Sequence, residues 1–186
     1  TMIVAASLWT AGLGHTLAPI LLHGLIYGAV LSVSMSLAFL GIAYLNPEIW
    51  LNDYPPDIRE RFGPMSERAR KQRTLAGVPV FLLLFGTIVL SAIRLARIGG
   101  DDAFFAVFLG TFTVLLVFNL ADLPILDWLV FNTLRPGFVI LPGTEGARGY
   151  SDYGFHFRAF LKGVAGAVVV SLLVAGATSG IGAVAA

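Results

Sequence analysis

The sequence predicts an all-α membrane protein: four transmembrane helices, with an apolar N-terminal segment that lies at the interface or packs on the bundle. Of the 186 residues, 57% are hydrophobic and 12% are charged, and the mean hydropathy is +0.85. A soluble domain carries about 25% charged residues, so most of this surface cannot face water. Apolar runs also recur at the length of a membrane crossing, which is about 20 residues. We expect residues 1–186 to form a single integral membrane domain.

The first apolar run covers residues 2–45 and is interrupted by Gly12, Gly14 and Pro19. It is too long for one crossing and marginal for two. We therefore expect residues 2–13 to form the N-terminal segment and residues 20–45 to form the first crossing.

Three further apolar runs predict the remaining crossings. One polar segment separates the first crossing from the second, and another separates the third from the fourth. The polar segments and the start of the last helix hold ten lysines and arginines, whereas the turn at 94–102 holds two. Because basic residues concentrate in cytoplasmic loops, both polar segments are predicted to be cytoplasmic and both termini outside. The predicted crossings are 78–96, 103–131 and 160–181, and the cytoplasmic segments are 46–77 and 132–159.

The third crossing contains an unusual polar stretch that starts at Asn119. A carboxylate at membrane depth costs several kcal/mol, so it normally faces the protein interior and has a partner. In a regular helix Asp122 lies about 60° from Asn119, whereas Asp127 lies about 140° from Asp122. Pro124 lacks an N–H group and its ring clashes with the carbonyl of Leu120, which predicts a kink. The kink, two acids and an amide together predict a hydrated pocket at the cytoplasmic end.

Each acid also has a structural interpretation. Asp127 beside Trp128 can mark the interfacial belt, with its carboxylate reaching water. Asp122 can instead lock the bundle through a nearby cation, for which the sequence offers Arg135, Arg158 and Lys162. His156 lies at the start of the fourth crossing, where it can act as an interfacial acid or base. The candidate binding residues are thus Asn119, Asp122, Asp127, Arg135, His156 and Arg158.

The histidines do not predict a metal or haem site. His15 and His23 lie at the outer start of the first crossing, whereas His156 lies at the cytoplasmic side. A zinc site needs three or four clustered ligands, and the chain has no cysteine. We expect no metal and no cofactor. The net charge of +1 gives no basis for a nucleic-acid partner.

Small residues recur every four positions in two of the predicted helices. Such stripes allow helix backbones to approach closely, either within one chain or between copies. The expected partners are therefore the lipid bilayer and either a second copy, giving a homo-oligomer, or another membrane subunit. The stripes are Gly24, Gly28, Ser32 and Ser36 in the first helix, and Gly163, Ala167, Ser171, Ala175 and Ser179 in the fourth.

Several short motifs carry a resemblance: Asn46-Pro47 with Asp53-Tyr54-Pro55, Asn119-x-x-Asp122 with Asp127-Trp128, and residues 142–146 followed by 153–163. On these motifs the chain resembles a group of small four-helix bacterial integral membrane proteins to which no activity is assigned. The resemblance implies the four-helix architecture and the bacterial inner membrane, and it implies no mechanism.

Three function classes follow from these residues. The favoured one is a protein that binds or conducts an ion, a proton or a lipid headgroup at a polar site in the cytoplasmic half. An inner-leaflet enzyme would use Asp122 or Asp127 as a base or metal ligand, with His156 or Arg158 assisting. An accessory subunit would have no site. Binding is favoured because acids alone do not make a reaction and the sequence shows no convincing nucleophile.

Overall fold

The structure, a computed structural model, describes the backbone of residues 13–185 and the side chains of residues 17–180. The regular structure in this part of the chain is helical. The α-helices are α1 Leu13–Leu45, α2 Pro56–Phe62, α3 Glu67–Gly99, α4 Ala103–Asp122 and α5 Tyr153–Ala185. A π-helix, Leu123–Leu134, continues α4, and the 3₁₀ turns are Pro47–Asp53, Gly100–Asp102, Gly137–Val139 and Arg148–Ser151. The predicted N-terminal segment lies outside the described residues except for Leu13.

The described helices have the length and composition of membrane spans. Three continuous helical stretches there are long and apolar enough to cross a bilayer: Leu17–Leu45, Glu67–Leu134 and Tyr153–Gly180. Large apolar side chains such as Leu22, Val33 and Leu173 are exposed on them. A water-facing surface seldom carries so continuous an apolar patch, whereas lipid solvates it well. The prediction of an all-helical protein with membrane-length helices is confirmed.

The chain divides into two compact units, and the long helices contribute to both. Unit 1 contains the described residues up to Leu31, the range Phe85–Phe118 and the described residues from Val164 onward. Unit 2 contains Ser32–Leu84 and Asn119–Gly163.

In unit 1, the stretch Glu67–Leu134 folds back on itself at the turn Gly100–Asp102. Gly100 has a φ of +52°, which glycine adopts without steric cost. On either side of the turn, a Cβ added at Gly99 would lie 2.5 Å from the Cβ of Ala106. Further along, a Cβ at Gly110 would overlap the side chain of Leu95. Because residue numbers rise on one helix as they fall on the other, α3 and α4 form an antiparallel hairpin.

The small-residue stripe of α1 packs against α4 in unit 1. A Cβ at Gly24 would lie 2.6 Å from the Cβ of Thr113, and one at Gly28 would lie 2.7 Å from the Cβ of Val117. The same offset at both positions shows that α1 and α4 run parallel there. Buried apolar residues nearby form the core of the unit: Ile20, Ala92, Leu95, Ala106, Val107 and Ala175.

The predicted break at Pro19 is wrong, since α1 begins at Leu13 and continues through this proline. A proline removes one backbone donor, and the cost falls on the carbonyl four residues earlier. The carbonyl concerned is that of His15. Prolines of this kind are tolerated in membrane helices because neighbouring groups satisfy the freed carbonyl.

In unit 2, the two polar segments fold against each other around their own apolar core. The Asp57 carboxylate accepts a hydrogen bond from the Gly149 amide at 2.8 Å, and the Tyr150 hydroxyl accepts one from the Leu141 amide at 2.9 Å. Ser66 caps the start of α3, because its hydroxyl accepts a hydrogen bond from the Ala69 amide at 3.1 Å. The buried core of these segments consists of Leu51, Tyr54, Ile58, Leu141, Ala147 and Tyr150.

Candidate functional site

The predicted distortion at Pro124 takes the form of a π-helix. From Leu123 onward the chain is wound so that an amide bonds to the carbonyl five residues earlier, as between Arg135 and Val130 at 2.9 Å. A turn of this width brings residues five apart onto one face, whereas a regular helix separates them. Asp122 and Asp127, which regular geometry would direct apart, accordingly line the same two cavities.

The larger of these two cavities is a pocket of about 280 Å³ within unit 2. Its walls come from the end of α1, the turn Pro47–Asp53, the π-helix and the start of α5. Most of the lining is apolar, and besides the Tyr54 phenol its ionisable side chains are Asp53, Asp122, Asp127 and His156. Among the described residues that line the pocket, none is a lysine or an arginine. The pocket therefore carries an excess of acidic groups.

His156 is fixed in this pocket by Asp127. Its Nδ1 lies 2.9 Å from Oδ1 of Asp127, and its ring makes an edge contact with Phe131 at 4.9 Å between centroids. The His156 side chain is only 7% exposed. Its second nitrogen, Nε2, is buried and has no hydrogen-bond partner within the described part of the chain. The carboxylate thus holds the ring through Nδ1, and Nε2 is the ring nitrogen without a partner among the described residues.

The smaller cavity, of about 100 Å³, lies on another side of the two acids. Asn119, Leu123 and the start of α5 complete its lining. The Asn119 side chain approaches Gly163 so closely that a Cβ there would overlap it. A small residue at the head of the α5 stripe thus makes room for the amide of the candidate site. The acid pair is shared by the two cavities.

Asp53 and Tyr54 belong to the pocket although the sequence did not single them out as site residues. Arg73 lies 3.8 Å from Asp53, whose side chain is 60% exposed. Partial burial raises the pKa of the Asp53 carboxyl, and the guanidiniums of Arg73 and Arg59 act in the opposite direction. The Tyr54 hydroxyl donates to the Val139 carbonyl at 3.0 Å, and burial raises the pKa of Tyr54 above its usual value.

Aromatic side chains form much of the remaining wall. Phe39 and Trp50 meet edge to face at 5.0 Å between centroids, and Tyr54 and Phe131 do so at 5.1 Å. The Trp50 indole N–H is buried and has no hydrogen-bond partner among the described residues. Sequence reasoning missed these rings because they come from three elements far apart in the chain. The one available signal was the Asp53-Tyr54 pair within the resemblance motif.

Arg135 and Arg158, two candidates for the site, lie elsewhere. Arg135 ends the π-helix with a φ of 47°, donates to the Asn132 carbonyl at 2.7 Å and reaches the Ser151 hydroxyl at 2.8 Å. Arg158 lies 3.6 Å from Asp152 near the start of α5. Neither arginine lines either cavity. The structure brings together the other four candidates: Asn119, Asp122, Asp127 and His156.

His23 and two stripe residues of α5 have defined surroundings, whereas the side chain of His15 lies outside the described ones. In unit 1, Nε2 of His23 lies 3.0 Å from the Ser91 hydroxyl, and the ring stacks on Tyr27. Ala167 and Ser171 are buried on the inner face of α5. Within the described side chains, no three His, Asp or Glu groups are placed to hold one metal ion.

The pocket brings together carboxylates and an imidazole in largely apolar surroundings. Carboxylates in surroundings of low polarity attract a cation strongly, because little water screens the charge. A neutral imidazole held by a carboxylate offers its other nitrogen as a hydrogen-bond acceptor. No protein-family model, no curated protein and no solved structure matches the chain.

Proposed function

We propose that the chain is a membrane protein that binds a small cation or a proton at the acidic pocket of unit 2. The observation that carries this proposal is the Asp127–His156 pair, which lines a pocket that Asp122 also lines. Ionisable groups at membrane depth are costly, and they generally mark ion or proton pathways. Two cavities share Asp122 and Asp127 in their linings.

The topology belongs to the same proposal. A stretch of 68 residues such as Glu67–Leu134 is far longer than the roughly 20 residues of one crossing. Together with the hairpin at Gly100, this length supports four crossings. In unit 2, Asp127 meets His156 and Asn119 meets Gly163, so α5 runs antiparallel to the helix before it.

The orientation and setting follow from the sequence. Ten lysines and arginines in the polar segments and the start of α5, against two in the turn at 94–102, favour cytoplasmic polar segments and external termini. We place the chain in a bacterial inner membrane, as the motif resemblance implies. The exposed small residues of α5, such as Gly166 and Gly176, are available to a second copy or another subunit.

An inner-leaflet enzyme is the second candidate, and one observation favours it. A carboxylate on Nδ1 of a histidine orients the ring and leaves Nε2 free to take a proton from water. Asp127 and His156 have this arrangement. If the protein is an enzyme, the wild type should convert an added lipid to a product, and the His156→Gln variant should not.

The binding proposal is tested by thermal unfolding in detergent with a series of cations at equal ionic strength. A ligand that binds only the folded protein raises the free energy of unfolding by about 2.7 kcal/mol at 100 times its Kd. We expect at least one cation to stabilise the wild type and to lose this effect in Asp122→Asn. Asp101→Asn, which removes an exposed carboxylate of the turn in unit 1, is the matched control. The proposal would be contradicted if every cation shifted the unfolding temperature equally in the wild type, Asp122→Asn and Asp101→Asn.

A further inference from the structure

We propose that the ligand of the acidic pocket is an organic ammonium ion with alkyl substituents, which the aromatic rings and the carboxylates bind together. This inference rests on the proposed function and names its substrate class. It is supported by the size of the pocket, by the composition of its walls and by two buried polar atoms within it.

The size of the pocket favours an organic ion over a bare inorganic one. Its volume of about 280 Å³ is far more than the roughly 30 Å³ that one water molecule occupies in the liquid. A metal ion filling such a space would need many waters or many oxygen ligands. Among the described side chains no three ionisable groups are placed around one ion.

The walls of the pocket match an alkylammonium ion. Four aromatic residues line it, and aromatic rings attract weakly hydrated cations through their negative faces. Three carboxylates supply the opposite charge: Asp122 and Asp127, beside which no lysine or arginine lines the described pocket, and Asp53, which Arg73 also approaches. An anionic ligand would meet only repulsion there. The aromatic residues are Phe39, Trp50, Tyr54 and Phe131.

Two buried polar atoms at the pocket point to a ligand with polar substituents. His156 is more than nine-tenths buried, and its Nε2 has no partner within the described part of the chain. The indole nitrogen of Trp50, a residue of intermediate burial, is itself buried and also has no hydrogen-bond partner among the described residues. Burial without a hydrogen bond is unfavourable for such groups. A ligand hydroxyl can donate a hydrogen bond to Nε2 of His156 or accept one from the indole N–H of Trp50.

An ammonium group of this kind has two sources. It can be the headgroup of a lipid, such as choline or ethanolamine on a phospholipid, or a free amine. Both share the chemistry that the pocket recognises, and the experiment separates them.

The test measures binding of radiolabelled choline to the full chain in nanodiscs. The neutral isostere 3,3-dimethylbutanol, which has carbon in place of the charged nitrogen, is the competitor of equal shape. We expect unlabelled choline to displace the label at least tenfold better than the isostere. We expect Trp50→Leu to weaken choline binding about tenfold, because a desolvated cation–π contact contributes at this level.

Two controls keep this result interpretable. Trp128→Leu removes a tryptophan that does not line the pocket and should leave choline binding unchanged. If Trp50→Leu does not fold, Phe39→Leu replaces it, because Phe39 is the ring that packs against Trp50. This variant should also weaken choline binding. The lipid source predicts weaker choline binding in phosphatidylcholine discs than in phosphatidylglycerol discs, whereas a free amine predicts equal binding.

The outcomes separate the inference from the proposed function. If choline and its isostere compete equally while potassium still stabilises the wild type and not Asp122→Asn, the organic ligand is wrong and cation binding stands. If neither choline nor any inorganic cation depends on Asp122, both are wrong.

Discussion

His156 on α5 and Asp127 on the π-helix are joined by a hydrogen bond of 2.9 Å between Nδ1 and Oδ1. The pair connects two elements that are far apart in sequence and leaves the other imidazole nitrogen buried without a described partner. It also holds the ring beside Phe131 at the wall of the pocket. The pair can therefore contribute both to the stability of the fold and to ligand binding, and substitutions can separate these two contributions.

Asp127→Asn and Asp127→Leu separate these two contributions. Asparagine keeps an oxygen that can accept from Nδ1–H, so its free energy of unfolding should stay close to that of the wild type. Leucine leaves the imidazole donor buried and unpaired, which costs about 1–3 kcal/mol. Both variants should lose cation-dependent stabilisation. Denaturant unfolding in detergent, with and without the cation, measures both effects, and a leucine variant as stable as the asparagine variant would count against the pair.

Gly28→Ala should destabilise the protein, whereas Gly41→Ala in the same helix should not. A Cβ at Gly28 would lie 2.7 Å from Val117, while a Cβ at Gly41 would meet nothing within 4 Å. Overpacking typically costs about 1–3 kcal/mol. Alanine at the open site should stabilise the helix by up to about 1 kcal/mol. Thermal unfolding of the two variants checks this contrast. The prediction is wrong if both substitutions change the unfolding temperature alike.

Tyr54→Phe should change how stability depends on alkaline pH. The pKa of Tyr54 is raised by burial, so folding favours its protonated form. That contribution is fully present below the ordinary tyrosine pKa of about 10 and is lost as the pH rises beyond it. At pH 7 the variant should be less stable by about 1–2 kcal/mol, since it leaves the buried Val139 carbonyl without its donor. Between pH 9 and 11 the gap should narrow, and a gap independent of pH would exclude this account of Tyr54.

Much of the architecture could be predicted from the sequence because a bilayer imposes long apolar runs. The ends of α1 and the π-helix fall within a few residues of the predicted crossings. The alignment of Asp122 with Asp127 could not be predicted, because a regular helix separates them and Pro124 indicates only that the pattern breaks. The rings of Trp50 and Tyr54 were missed for another reason. They enter the pocket through a 3₁₀ turn whose placement depends on contacts with distant loop residues.

The orientation can be tested with single cysteines, because the chain contains none of its own. Glu60 and Asp101 are both exposed, and they lie in a polar segment and in the short turn. An impermeant thiol reagent should label Asp101→Cys in intact cells and Glu60→Cys only after the cells are opened. The reverse pattern would show that the orientation is inverted.

The central claim is that Asp122 and Asp127 bind a cation inside the pocket, and carbodiimide labelling tests it most directly. Dicyclohexylcarbodiimide is an apolar reagent that modifies carboxylic acids in apolar surroundings. We expect mass spectrometry to locate an adduct on one of these two residues and to show that choline or an inorganic cation slows its formation. Exposed acids such as Glu60 should show no such protection. Labelling of the pair that no cation slows, or the absence of any adduct on it, would contradict the claim.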